Sequence, residues 1–441
     1  MPNHSNDASV SPNHGSLCYE HHISSISTYT VNCLVLFSST KGIEESESPI
    51  MANREEEEEE ESVVCNNISF DLLENILSRL DVKSVKKCEC VCKSWFSLLR
   101  TQYFMKLHLN SQQLPRVIFI NYREASNSHD LSICSLGNGL FSEISLNQLP
   151  YSAMDSSSDD DESCSLSFIG SDKGIIGISD SRDNKLSPLY YIWNPTTNES
   201  KKLPPLNLIE DEYYRLRGLG YDPLTNDLKV VVFTSQLKKG HKIAIYNMRS
   251  NSWKAITMSN LFPEFKSVRV TPSISTSINV NNFIHWYIFY RNGNTSDDED
   301  DPEIFTGIIA FDISKEKFNL VKLPQVEKGN NGGDIAKIFG CLSMIYVDEV
   351  TIVHVWVMKN YGDSDSWYEY LSFSLNDLIL TKLGKFCRIR FLSDEILIVT
   401  LFLTGYICWY DSKSKTIQII SKRYPVIEFT TYVESVLRLN E

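Results

Sequence analysis

No apolar run in these 441 residues approaches the ~18 needed to cross a bilayer as a helix. The nearest, Val31 to Phe37, is short and has no basic stretch before it, so neither a membrane span nor a secretory leader is expected. The expectation is a soluble protein of the cytoplasm or nucleus, with no membrane partner. Its 11 cysteines are odd in number and scattered, which points to reduced thiols rather than a disulfide framework. Cys88, Cys90 and Cys92 look like a metal cluster, but alternate spacing on a helix would splay them, and there is no second ligand pair of the Cys-x-x-Cys kind. No metal site and no cofactor is expected. Catalytic signatures are also missing: there is no Gly-x-Ser-x-Gly, no His-Glu-x-x-His, no phosphate-binding Gly-Lys-Ser/Thr and no dinucleotide fingerprint. His285 and His354 fall inside strand patterns, where a satisfied histidine is far commoner than a ligand. No basic stripe is interleaved with aromatics, so nucleic acid is not expected as a partner.

What is present is acid, unevenly placed. The formal net charge is -14. Glu44 to Glu61 holds 10 acidic residues, Asp155 to Glu162 holds 5 and Asp297 to Glu303 holds 6. Without these tracts 35 acids face 41 bases, so the body of the chain is mildly basic. Such runs repel themselves and stay solvated. Residues 1 to 61 are polar, acidic and without sustained period, and read as a disordered extension.

Residues 66 to 110 change character. Apolar residues at Leu72, Leu73, Ile76, Leu77 and Leu80 predict a helix with one wet face, and Val85, Val91, Trp95, Leu98 and Leu99 continue the stripe through further short helices. About 40 residues bury too little surface to be comfortable alone, so such a bundle is built to dock. The succession ILSRL, DVKSV, VCKSW, SLL, then Phe with His-Leu after it, resembles the F-box of plant F-box proteins. The resemblance implies that Ile68, Leu72, Ile76, Leu77, Val85, Cys92, Trp95 and Leu98 bind a Skp-family adaptor and, through it, cullin. The family has Leu-Pro where this chain has Ile68-Ser69, Glu where it has Asn75, and Pro where it has Asp81. Losing both prolines is expected to weaken two rigid turns.

From residue 116 onward short β-rich runs take over, bounded by turn residues. ICSLGNGLFSEI, IYNMRSNSWKAI and AFDISKEKFNLV share one layout: a strand ending in an apolar or aromatic residue, a polar turn, and an aromatic seven residues on. The pairs are Cys134 with Phe141, Tyr246 with Trp253, and Phe311 with Phe318, and looser copies stand at Trp193, Trp356 and Tyr410. These six anchors are 59, 53, 65, 45 and 54 residues apart. That period predicts a β-propeller of about six blades, the anchors packing blade on blade. The C-terminal YVESVLRL is expected to close the ring on the first blade. The segments GIIGI, WNPTTNESKKLP, LGYDPLTNDLKVV, NNFIHW and GCLSMI, with the anchor segments, are similar to the plant F-box-associated domain.

The expectation is therefore a small all-α bundle followed by an all-β domain over residues 116 to 441, serving as the non-catalytic, target-binding subunit of a cullin-based ubiquitin ligase. The alternative is a propeller scaffold working without the ligase. Two non-acidic connections carry residue types that interfaces favour: Tyr213, Tyr214, Arg215 and Arg217 in one, and Tyr287, Tyr290 and Arg291 in the other. These are the candidate contacts to a protein substrate.

Overall fold

The computed structural model of the chain describes residues 69–111, 115–123, 128–137, 140–146, 166–180, 188–206, 212–236, 240–257, 269–272, 277–291, 304–325, 333–348, 352–374, 387–391, 396–401, 406–422 and 426–439. The extension 1–61, Ile68 and the acidic tracts lie outside them. The chain divides between Gln113 and Leu114 into two compact units.

The first unit holds four helices: α1 (Phe70–Ser78), α2 (Val82–Cys88), α3 (Lys93–Leu99) and α4 (Gln102–Ser111). The two positions where the family pattern has proline are N-caps here. The Ser69 hydroxyl accepts the Leu72 amide at 3.4 Å, and the Asp81 carboxylate accepts the Ser84 amide at 3.0 Å and its hydroxyl at 2.7 Å. A side-chain cap satisfies an orphan helix amide and fixes where the helix starts. The expected weakening of both turns is thus offset by another device. Burial pushes the Asp81 carboxyl up, but the Ser84 hydroxyl and amide outweigh it and hold it below its ordinary value. Leu77, Val85, Cys88 and Phe104 are fully buried at the centre, with Leu73, Trp95, Leu98 and Leu99 around them. α4 ties back to the turn between α1 and α2, where buried His108 donates from Nε2 to the Leu80 carbonyl at 2.9 Å and Ser111 donates to the Ser78 carbonyl. The three clustered cysteines do not share a helix as expected, because α2 ends at Cys88. Cys88 points into the core, its thiol pushed up to about 12 by burial, while Cys90 is exposed and Cys92 stands just before α3 without a side-chain capping bond.

The second unit is all β, in six antiparallel sheets among the described residues. β1 (Arg116–Arg123), β2 (Ser128–Gly137) and β3 (Leu140–Leu146) open the first sheet. β4 (Leu166–Asp172), β5 (Ile175–Asp180), β6 (Leu189–Asn194) and β7 (Glu199–Lys202) make the second. β8 (Glu212–Asp222), β9 (Asp227–Gln236), β10 (Gly240–Asn247) and β11 (Ser252–Thr257) make the third. The fourth contains β12 (Arg269–Pro272), β13 (Ile278–Val280), β14 (Phe283–Arg291), β15 (Ile304–Asp312) and β16 (Lys317–Val321), with β12 and β13 both pairing β14. β17 (Gly333–Ile338), β18 (Cys341–Val347), β19 (Ile352–Met358) and β20 (Trp367–Ser374) form the fifth. β21 (Cys387–Phe391), β22 (Ile396–Leu401), β23 (Tyr406–Asp411) and β24 (Thr416–Lys422) form the sixth. β25 (Val426–Tyr432) then returns to pair with β1, so the two ends of the unit share one sheet of a β-propeller. The closing strand is VIEFTTY, not the expected YVESVLRL, which meets it only at Tyr432. The rest of that segment leaves the sheet and crosses to the second. There the Asn194 amide donates to the Ser435 and Leu437 carbonyls at 2.9 and 2.8 Å, and a Cβ at Gly174 would lie 2.2 Å from the Ser435 Cβ.

The seven-residue spacing has a concrete origin. Tyr246 pairs with Trp253, Phe311 with Phe318, Trp193 with Ser200 and Tyr410 with Ile417. In each case the next residue is Asn or Asp, and the residue four beyond that has positive φ: Asn198, Asn251, Glu316 and Lys415. The Asx oxygen accepts the amides ahead of it, as at Asn194 from Thr196 (2.9 Å), Asp312 from Lys315 (2.9 Å) and Asp411 from Lys413 (2.8 Å). Asp222 starts the same turn, with Asn226 at positive φ. The side chain thus closes a four-residue hairpin. Cys134 departs from the scheme, pairing with Glu143 while Phe141 pairs with Leu136. Only residues 138–139 separate β2 from β3, and the partner of Cys134 lies two residues further along β3 than the scheme has it. Trp356 pairs with Glu369, across the longer turn at 359–366 and a bulge.

Successive sheets share apolar cores. Ile118 and Trp193 lie in one, Tyr190 and Tyr246 in the next, then Phe233 with Trp286 and Phe311, then Tyr287 with Met344. Two of the anchors act between sheets as expected: Trp253 donates to the Pro204 carbonyl at 2.8 Å, and Tyr410 stacks on Phe373 at 4.0 Å; Trp367, which is not an anchor, likewise donates to the Lys322 carbonyl at 3.0 Å. A charged joint fastens the third sheet to the fourth. Buried Lys229 donates to the Ile313 carbonyl at 2.9 Å and reaches Asp222 and Glu316 at 3.2 Å each. Burial opposes the charge on Asp222, but bonds from Ser314, Thr225, Leu224 and Lys229 outweigh it and hold the carboxyl down at about 2.

Candidate functional site

The helical unit offers the clearest candidate surface. Its apolar stripe is wider than one buried face, so part of it must look outward. Of the eight residues the resemblance singled out, Leu77, Val85, Trp95 and Leu98 are buried and hold the helices together. Leu72 is 54% exposed, Ile76 and Cys92 are half-buried, and Ile68 lies outside the described residues. Spacing alone missed three residues that the fold places outside: Phe70, Phe96 and Tyr103. Phe70 precedes the helical period, and Phe96 adjoins Trp95, so hydrophobicity could not say which of the two rings faces in. The Arg100 guanidinium lies 3.9 Å over the Phe96 ring. Four large apolar side chains of so small a unit stand in water, and they are the candidate docking residues.

The second candidate set is placed differently from expectation. Tyr213, Tyr214, Arg215 and Arg217 are not in a connection but in β8, and Tyr287, Tyr290 and Arg291 are in β14. In each sheet the first-to-second and third-to-fourth turns fall at one end of the strands. The second-to-third turn and the crossover to the next sheet leave from the other. The first residues of β8 and the last of β14 both lie at this crossover end, in neighbouring sheets. Strand alternation then divides them. Leu216 and Trp286 belong to the core between these two sheets. Arg217 has the opposite parity, that of Leu219, which packs toward the second sheet. Tyr287 is buried at 1% exposure, and half-buried Arg217 accepts the Trp286 indole N–H at its carbonyl at 2.7 Å.

The two strand histidines are both engaged. His285 is buried, with Nδ1 3.1 Å from the Ile278 carbonyl and Nε2 2.8 Å from the Tyr361 hydroxyl, and burial pushes its pKa down to about 4. His354 stands between Asp348 and Glu369. Among the described residues no group of three or more His, Cys, Asp or Glu is placed to hold a metal ion.

The family models agree with both units. Residues 65–107 match the F-box domain and residues 125–430 match the F-box associated beta propeller domain. The chain belongs to the F-box-associated β-propeller family. Its similar relatives in Arabidopsis thaliana include the F-box protein At4g22390, 27% identical over 67% of this chain and 71% of that one. The F-box/kelch-repeat protein At3g23880 is 26% identical over 77% of this chain and 86% of its own length. F-box protein CPR1 is 24% identical over 79% and 83%. An F-box followed by a propeller supports, in general terms, a receptor role in a Skp-cullin-F-box ligase.

Proposed function

We propose that this protein is the non-catalytic receptor subunit of a Skp-cullin-F-box ubiquitin ligase, working in the cytoplasm or nucleus. Its helical unit docks on a Skp-family adaptor and its propeller, each of the six sheets taken as a blade, holds the protein to be ubiquitinated. The carrying observation is the contrast inside the helical unit: Leu77, Val85, Trp95 and Leu98 complete a core while Phe70, Leu72, Phe96 and Tyr103 are left outside it. The receptor's share of catalysis is proximity, because holding the target beside a charged ubiquitin carrier turns a bimolecular encounter into an effectively unimolecular one. Affinity purification of the full chain is expected to bring down adaptor and cullin. Leu72→Glu combined with Phe96→Glu should leave both units folded and weaken adaptor binding at least tenfold, about 1.4 kcal/mol. Retention of adaptor by that variant would move the docking face. Absence of adaptor from the wild-type purification would favour the scaffold reading.

A further inference from the structure

His354 lies in β19, and both of its ring nitrogens face carboxylates. Nδ1 is 2.6 Å from Glu369 Oε1, and Nε2 is 3.3 Å from Asp348 Oδ2. An ionised carboxylate only accepts, so each contact needs an N–H on the ring, and a neutral imidazole carries one. The geometry therefore calls for the imidazolium. The Tyr346 ring lies nearly parallel to it, centroids 4.8 Å apart and planes 17° apart, an arrangement that favours a cation over an aromatic face. His285 shows the opposite arrangement. One of its nitrogens meets a carbonyl and the other a hydroxyl, which a neutral ring satisfies by donating once and accepting once.

The two carboxylates belong to structural features that need holding. Asp348 accepts the Ile352 amide through its other oxygen at 2.7 Å, and its own amide donates to the Ile352 carbonyl at 3.0 Å, so it closes the turn between β18 and β19. Glu369 is on β20, the last strand in its sheet, which among the described residues pairs on one side only. It sits where the register between β19 and β20 shifts at a bulge, a point at which ladder bonds are disrupted. A charge between these groups bridges the turn and the edge strand.

We propose that His354 is a proton-dependent staple: as an imidazolium it fastens β20 and the turn at Asp348 to the body of the fifth sheet, and its deprotonation loosens that edge. Tyr346 on β18, Asp348 in the turn and Glu369 on β20 are the titratable groups facing it among the described residues, and Glu349 lies outside them. Burial opposes the charge, but the bonds to Glu369 and Asp348 outweigh it and raise the pKa above the ordinary histidine value. With a raised folded pKa, the contribution is complete below about pH 6.5 and is lost as pH rises through the folded value. Acid removes it again once Glu369 and Asp348 take protons.

Hydrogen exchange of the full chain, read on the peptide covering β20, tests this. Each variant is compared with wild type at the same pH so that intrinsic rates cancel. At about pH 6, β20 in His354→Gln is expected to exchange up to about fivefold faster than in wild type, the range of a partly exposed ion pair. At about pH 9 the two should coincide. His354→Arg, whose charge does not titrate in this range, should stay protected at both. A His354→Gln difference equally large at both pH values, or absent at about pH 6, overturns the staple. Side-chain nitrogen NMR of wild type gives a reading that needs no variant, and a neutral single-tautomer signal for His354 at about pH 6 would also overturn it.

Discussion

Between Ser69 and Ser111, Phe70, Leu72, Phe96 and Tyr103 stand 41% to 63% exposed, while the far longer β unit shows Leu224, Leu320, Phe339 and Tyr368 at 38% to 81% among its described residues. The difference comes from how each architecture covers apolar surface. Four helices of seven to ten residues each have one inward stripe and a perimeter larger than their interior can hide. A sheet has two faces, and stacking each sheet between two others covers both, with β25 returned to the first sheet so that the series closes. The helical unit therefore leaves part of its apolar surface in water. The propeller completes its own core, and its contacts with other molecules fall to strand ends and turns.

The most severe way to break this comparison is to open the β unit. Ending the chain before Val426 removes the partner of β1 and the segment that Asn194 and Gly174 hold, and the β unit is expected to lose its cooperative melting transition. A shortened chain that still melts as sharply as the full one would show that closure is not what stabilises it. Next in size is a test of which apolar helical residues are internal. Leu77→Asp buries an unpaired carboxylate and should cost about 3 kcal/mol or more, abolishing helical structure in the first unit while the β unit still melts normally. An intact first unit in that variant would contradict the core assignment. The smallest effect concerns the cap. Asp81→Ala should destabilise the helical unit by about 1 kcal/mol. The folded carboxyl lies below its ordinary value, so the cap's contribution is full above the unfolded value near 3.9. It fades as pH falls through the lower folded value, so the gap to wild type should hold from neutral pH to about 5 and narrow in stronger acid. A gap that widened on acidification would mean that Asp81 does not act as an ionised cap.

Much of both units was legible in the order of residues. The helical period from Leu72 to Leu80 placed α1, and the recurring aromatic, polar turn and seven-residue step marked hairpins of four sheets. The candidate surfaces were less legible. Trp95 and Phe96 are equally apolar neighbours, and only packing decided that the first is core and the second surface. Tyr213 to Arg217 read as a connection, yet their backbone pairs as part of strand β8, which only the partner strand β9 reveals. Ser69 and Asp81 read as lost prolines, when their side chains do the capping themselves.

The sequence by itself determined the local features: where helices begin and repeat, which Asn or Asp closes each hairpin, and that a period near 55 residues runs through the β unit. Each of these depends on groups within a few residues of one another, so spacing carries the information. The tertiary structure alone decided which side of the helical stripe faces inward, that VIEFTTY closes the ring on a strand some 300 residues earlier, and that His285 stands between a carbonyl and a hydroxyl while His354 stands between two carboxylates. Those outcomes rest on partners far apart in the chain, or on burial, and neither the identity of a residue nor its immediate neighbours encodes them.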